Sequence, residues 1–187
     1  MKGISFEIHK AKNNQQLLEY LSGLSNTTKK RFGPHSFEIK TINNLAANPG
    51  FRLYTAFYRR KIIAYAIIKI GWLDHEKPRL MKYGIVENYH DITLAPSVAD
   101  EHQNKGIGTH FLQFILDDID SLMPPGNIYL WGGVQKNNKR AVHFYQKMGF
   151  TILGEFKTSS TYLDMNLNRR DRPPIEDTSL TLHKLEQ

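Results

Sequence analysis

The feature that most constrains this chain is a change of hydrophobic period across a glycine loop. Asp91–Val98 reads as a strand, whereas Phe111, Ile115, Ile119 and Leu122, with Leu112 and Leu116 beside them, repeat at helical spacing. Between the two runs lies Gln103-Asn104-Lys105-Gly106-Ile107-Gly108-Thr109. Pro124-Pro125-Gly126 stops the helix, and Ile128–Val134 is again a strand. Strand, glycine loop, helix 107–122 and strand make one βαβ unit with a right-handed crossover.

The flanking segments do not continue that pattern. Residues 4–9 form a first strand, and Asn13 or Asn14 caps a helix over 15–22 whose Leu17, Leu18 and Leu21 share a face. Residues 26–50 are polar and read as irregular, with Gly33-Pro34 and Pro49-Gly50 as breakers. Phe51–Tyr58 and Ile62–Trp72 form a hairpin joined by Arg59-Arg60-Lys61, and a connection through Pro78 and Gly84 follows. Ala141, Phe144, Tyr145 and Met148 place a helix over 139–148, with Gly149 as its C-terminal cap. Phe150–Phe156 and Tyr162–Leu167 close the sheet. So many antiparallel hairpins exclude a doubly wound fold. The expected architecture is one α/β (α+β) domain over 1–168, a mixed, mostly antiparallel central sheet flanked by helices. A polar tail, 169–187, follows, with room for one short strand at Leu180–Leu185.

Composition narrows the function classes. With 40% apolar and 11% aromatic residues, the chain can bury a core, which excludes wholesale disorder. No apolar run approaches the ~20 residues that span a bilayer, and the first residues lack a signal-peptide core, so a cytoplasmic protein away from membranes is expected. The chain has no cysteine, which removes disulfides and any relay through a cysteine thioester. The eight histidines show no H-E-x-x-H or comparable spacing, so no metal is expected. The net charge of +7 suits a polyanion, whether nucleic acid or a nucleotide cofactor.

The loop bears on that choice, although taken alone it also reads as a tight turn with no ligand. At a strand-to-helix junction, unpaired amides and the positive end of the helix dipole form an anion site, and glycines admit a phosphate close to the backbone. A dinucleotide fingerprint would need glycine where Phe111 stands, and the P-loop pattern is absent. Thirty residues on runs Asn138-Lys139-Arg140-Ala141-Val142-His143-Phe144-Tyr145-Gln146-Lys147-Met148-Gly149-Phe150. This resembles the N-x-x-A-x-x-F-Y-x-x-x-G-F segment of the GNAT N-acetyltransferase superfamily. Gln103–Gly108 resembles the same superfamily's Q/R-x-x-G-x-G/A pyrophosphate loop.

The resemblance implies acetyl-CoA as acetyl donor and an amine as acceptor, with direct transfer in a ternary complex. The amides of Gln103, Asn104, Lys105, Gly106, Ile107, Gly108 and Thr109 would cradle the pyrophosphate. The main chain of Pro96, Ser97 and Val98 would pair with the pantetheine arm, beside a wedge opened at a bulge. Asn138 would hydrogen-bond the arm, with Ala141 and Phe144 packed alongside. Tyr145 stands where a tyrosine general acid to the leaving thiolate is often assigned.

Each role has an ordinary counterpart. Asn138 at a helix start is a cap, and Phe144 and Tyr145 on an apolar face are core. The acceptor amine must lose a proton, and Glu87, His90 and Asp91, near the start of the central strand, are the candidate bases, with Tyr89 among them. A small-molecule amine is the expected acceptor; a protein N-terminus or lysine stays open, as does a homodimer. A non-catalytic CoA-binding or sensor domain is the alternative on the same fold. A nucleic-acid module is disfavoured, because no aromatics interleave the basic triplets Lys29-Lys30-Arg31 and Arg59-Arg60-Lys61.

Overall fold

The computed structural model describes residues 3–172. Its strands are β1 (Ile4–Ile8), β2 (Phe51–Tyr58), β3 (Lys61–Ile70), β4 (Ile92–Val98), β5 (Asn127–Leu130), β6 (Val134–Gln135), β7 (Thr151–Lys157) and β8 (Thr161–Asn168). They form one sheet in the order β1-β2-β3-β4-β5-β8-β6, with β7 on β8. Only β4 and β5 run parallel. That pair is the βαβ unit read from the change of period.

The helices cover both faces. Helices α5 (Ile107–Leu122) and α6 (Lys139–Lys147) lie on one, where Phe111, Ile115 and Ile119 meet Ala64, Ala66 and Ile68 of β3 and Leu94 of β4. On the other face are α1 (Asn14–Gly23), α2 (Asn26–Arg31) and α3 (Ile39–Ala47). Leu17 and Leu21 of α1 and Ile42 of α3 pack there with Tyr65, Ile67 and Ala95. Strand alternation sends neighbouring residues of β3 to opposite cores. From Ile62 to Ile68 β3 is therefore apolar and buried, as a strand covered on both sides must be.

Two expectations change. Residues 26–50 are largely helical: the Ser25 side chain caps α2 by accepting from the Thr28 N–H at 3.2 Å, and Ile42 is fully buried on α3. The glycine–proline pairs bound these helices rather than dissolving them. The strand expected over 128–134 is two, β5 and β6, because Gly132 and Gly133 take left-handed φ values of 70° and 66°. A Cβ on Gly133 would lie 2.8 Å from the Leu163 carbonyl oxygen, so only glycine fits that turn. The polar connection after β3 also carries a short helix, α4 (Lys77–Met81).

Beyond β8, Arg169 is buried and donates to Asp120 at 2.8 Å and to the Pro124 carbonyl at 2.6 Å. The first residues assigned to the tail thus pack on the domain. The strand expected at 180–185 lies outside the described residues.

The β2–β3 hairpin turns on Arg59 (φ 49°) and Arg60 (φ 65°), both left-handed. A two-residue turn of this hand suits Asn-Gly, and β-carbon crowding penalises arginine there. Replacing Arg59-Arg60 by Asn-Gly is expected to stabilise the fold by about 1 kcal/mol, raising the melting temperature by roughly 2–4 °C. Thermal denaturation followed by circular dichroism checks it.

Candidate active site

β4 and β5 pair for only three residues, Ile92–Leu94 against Ile128–Leu130. The Trp131 N–H still donates to the Leu94 carbonyl at 2.9 Å, and then the Gly132-Gly133 turn carries the chain away. β4 continues alone to Val98 on that side. Its ladder to β3 runs from Ile92 to Val98 without a register shift. The wedge therefore opens because β5 leaves, with no bulge in β4, a correction to the expected geometry.

The wedge exposes particular backbone groups. Leu94 directs its main chain toward β5, so by alternation Pro96 and Val98 do the same. The Val98 carbonyl is taken by the Gln103 side-chain amide at 2.8 Å. Proline has no N–H. Among the described residues, the Pro96 carbonyl and the Val98 N–H are thus left open. Ser97 differs: its backbone faces β3, and its hydroxyl bonds the Tyr20 hydroxyl at 3.0 Å and donates to the Tyr65 carbonyl at 3.3 Å.

The loop after β4 meets this edge. Asn104 (φ 60°) and Gly106 (φ 74°) are left-handed, and α5 starts at Ile107. Among the described residues, the amides of 104–109 have no protein partner outside the helix, and a helix's first turn offers them none within it. Successive unpartnered N–H groups at a helix N-terminus are the kind of surface on which an anion can bind. Gly108 lies against α6, where a Cβ would meet the Phe144 ring at 3.5 Å.

These groups share one cavity of about 770 Å³, within the range of small-ligand sites. Of the residues carried over for cofactor binding, Pro96, Ser97, Val98, Gln103, Asn104, Gly106, Gly108, Thr109, Asn138, Ala141 and Phe144 line it. Lys105 and Ile107 do not: the Lys105 ammonium donates to the Glu101 carbonyl at 2.7 Å, and the Ile107 side chain is in the core. The Asn138 side-chain oxygen accepts from the Ala141 N–H at 3.4 Å, so it also caps α6. Tyr145 lines the cavity while 9% exposed. Its hydroxyl has no protein partner among the described residues, and burial alone pushes its pKa up.

The candidate bases are elsewhere. Asp91 is fully buried and accepts from the Asn88 N–H at 3.0 Å, the Asn127 N–H at 2.9 Å and the Trp72 indole at 3.2 Å. Glu87 accepts from the Trp72 N–H at 2.7 Å and pairs with Lys77 at 3.1 Å. His90 gives its carbonyl to Arg169 at 3.2 Å, and Tyr89 is 96% exposed. All precede β4, whose part in the cavity wall begins at Leu94, and none of them lines the cavity.

Sequence reasoning left two contributors without an assigned role. Lys29, Lys30 and Arg31 line the cavity because α2 is tethered to the loop: Thr28 and Ser25 donate to Asp100 at 2.7 and 3.0 Å. The Ser25–Thr28 capping spacing was the available signal. The other is Glu76, 1% exposed, which accepts from the Gly132 N–H at 2.7 Å and pairs with Arg79 at 3.2 Å. Burial raises its pKa, opposed by those same partners. Nothing local marks Glu76 within a charged connection.

Comparison with known proteins follows the geometry. The sequence pattern of the acetyltransferase (GNAT) family matches residues 17–150. A search of curated proteins finds no match. Among solved structures, aminoglycoside acetyltransferase AAC(6')-Ib with paromomycin and acetyl-CoA aligns with TM-score 0.67 and 16% identity, covering 90% of this chain and 95% of that one. A spermidine N-acetyltransferase chimera of the Vibrio cholerae enzyme and hSSAT aligns at 0.66 and 18%, covering 90% and 97%. The Escherichia coli ribosomal-protein-S18-alanine N-acetyltransferase aligns at 0.62 and 15%, covering 93% and 97%. At such identities the likeness is one of fold.

Proposed function

Because the chain belongs to the GNAT acetyltransferase family, we propose that it moves the acetyl group of acetyl-CoA to an amine by direct attack in a ternary complex. The observation that carries this reading is the row of unpartnered amides at 104–109, opening onto a strand edge with the Pro96 carbonyl and Val98 N–H free. That pattern fits a pyrophosphate joined to an amide-bearing arm. The amides and the α5 N-terminus bind the phosphates, with Lys30 and Arg31 adding positive charge. Pro96 and Val98 take the arm as an added strand. Asn138, Ala141 and Phe144 hold it from α6.

Acetyl-CoA supplies an acyl group activated toward amines, with a thiolate as leaving group. Tyr145 donates a proton to that thiolate from its otherwise unpartnered hydroxyl. Burial pushes the pKa of this hydroxyl further up, so it carries its proton at neutral pH. Glu87, His90 and Asp91 do not line the cavity, so we assign no base from among them.

Replacing Gly108 with valine tests the cofactor assignment. A single Cβ there is tolerated at 3.5 Å from Phe144. The two added methyls crowd both the ring and the phosphate approach. Losing one or two charge-assisted contacts costs about 1.5–3 kcal/mol, so acetyl-CoA affinity is expected to fall roughly 10–100-fold. Titration calorimetry on the folded variant reads this; unchanged affinity removes the loop from the cofactor site. Release of free CoA that requires an amine separates the enzyme from a CoA-binding sensor.

A further inference from the structure

Resting on that reading, we infer that the acceptor is a single primary amine carried on a flat aromatic body, not a polycation. The argument is the distribution of charge around the cavity. Its charged wall belongs to the end that holds the amide-bearing loop. Lys30 and Arg31 sit on α2, which is fastened to Asp100 just before that loop. Arg140 and Lys147 flank Phe144 at i−4 and i+3, on the α6 face that meets Gly108. These cations suit the phosphates of a nucleotide cofactor.

Another part of the wall is formed by the 131–133 turn and the β7–β8 hairpin. It presents Trp131, Phe156 and Tyr162 and no charge. Phe156 and Tyr162 stack with ring centres 5.4 Å apart and planes 17° from parallel. A polyamine or aminoglycoside, with several ammonium groups, needs carboxylates to replace lost hydration. Asp100 is the one carboxylate lining the cavity among the described residues, and it is occupied by Ser25 and Thr28. Behind the aromatic wall, Glu76 and Asp164 are both paired with Arg79, whose guanidinium lies 3.9 Å from the centre of the Phe156 ring. A second ammonium brought here meets aromatic rings and a cation. An aromatic amine instead stacks its body on Trp131 and Tyr162 and presents one nitrogen.

The test compares tyramine and tryptamine with spermidine and kanamycin, using acetyl-CoA-dependent thiol release, after calorimetry has established acetyl-CoA binding. The expected result is kcat/KM at least ~10-fold higher for the aromatic amines, about the value of one well-placed aromatic contact. Trp131→Ala should raise KM for tyramine ~10-fold at unchanged acetyl-CoA affinity, and Trp131→Phe should restore it. Tyr162→Ala gives the same readout from the other ring. Spermidine or kanamycin turning over as well as tyramine, or no turnover of either aromatic amine by protein that binds acetyl-CoA, overturns the acceptor assignment alone. Absence of acetyl-CoA binding overturns the functional reading beneath it.

Discussion

Tyr145→Phe is expected to lower turnover by ~10²–10⁴-fold while leaving acetyl-CoA affinity and folding nearly unchanged, if thiolate departure limits the rate. The substitution keeps the ring that packs between Phe144, at 5.2 Å, and Phe150, at 5.3 Å. It removes a hydroxyl that has no protein partner among the described residues, so no hydrogen bond within the fold is lost. A purely structural tyrosine would therefore show full turnover in the variant. The pH profile offers a second readout. Burial moves the Tyr145 pKa upward, so its protonated form persists through neutral and moderately alkaline pH. The wild type should then show no alkaline loss of rate from this group. Steady-state kinetics of both proteins across pH, with a validated acceptor, decide the role. Equal turnover everywhere returns Tyr145 to the lining.

Arg79→Met is expected to destabilise the protein by about 3–5 kcal/mol, the usual result of stranding buried carboxylates. Arg79 donates twice to Asp164, at 2.8 and 3.1 Å, and pairs with Glu76 at 3.2 Å. Both carboxylate side chains are almost wholly buried, at 3% and 2% exposure. Methionine fills a similar volume but leaves two charges facing each other's neighbourhood without a cation. The loss should shrink at lower pH. The Glu76 pKa is already raised by burial, so its contribution favours the fold below its unfolded pKa and is lost as pH rises through the folded one. Removing the cation raises that folded pKa further and widens the window. Urea unfolding at pH 7 and pH 5 checks both parts; equal losses at the two pH values would exclude Glu76 as the stranded group. The same variant bears on the acceptor wall, because Glu76 holds Gly132 and Arg79 covers Phe156.

The parts of the site made from consecutive residues were legible before any coordinates. α5 begins and ends where the period change and the Pro124-Pro125-Gly126 stop put it, at Ile107 and Leu122. Gly149, at φ 91°, closes α6 as its position after the apolar face required. Capping, periodicity and the amide nest depend on neighbours within a few residues, so sequence order carries them. The split of 128–134 was visible in principle, in the Gly132-Gly133 dipeptide inside a strand run.

What the linear order withheld is whatever joins residues distant along the chain. Asp91 and Glu87 had the chemistry of bases, but their hydrogen-bond partners, Trp72 and Asn127, are supplied by other segments and tie them into the scaffold. The Lys29-Lys30-Arg31 triplet has no role in the linear order; the bonds from Ser25 and Thr28 to Asp100, over 70 residues away, bring it to the cavity. Glu76 reaches Gly132 across 56 residues and becomes buried only when α4 packs beneath the turn. Local backbone preference determined the loop and the helices that could bind a phosphate. Long-range packing decided which charged groups are spent on structure and which wall of the cavity is left aromatic, because desolvation acts on a side chain only where the folded chain surrounds it.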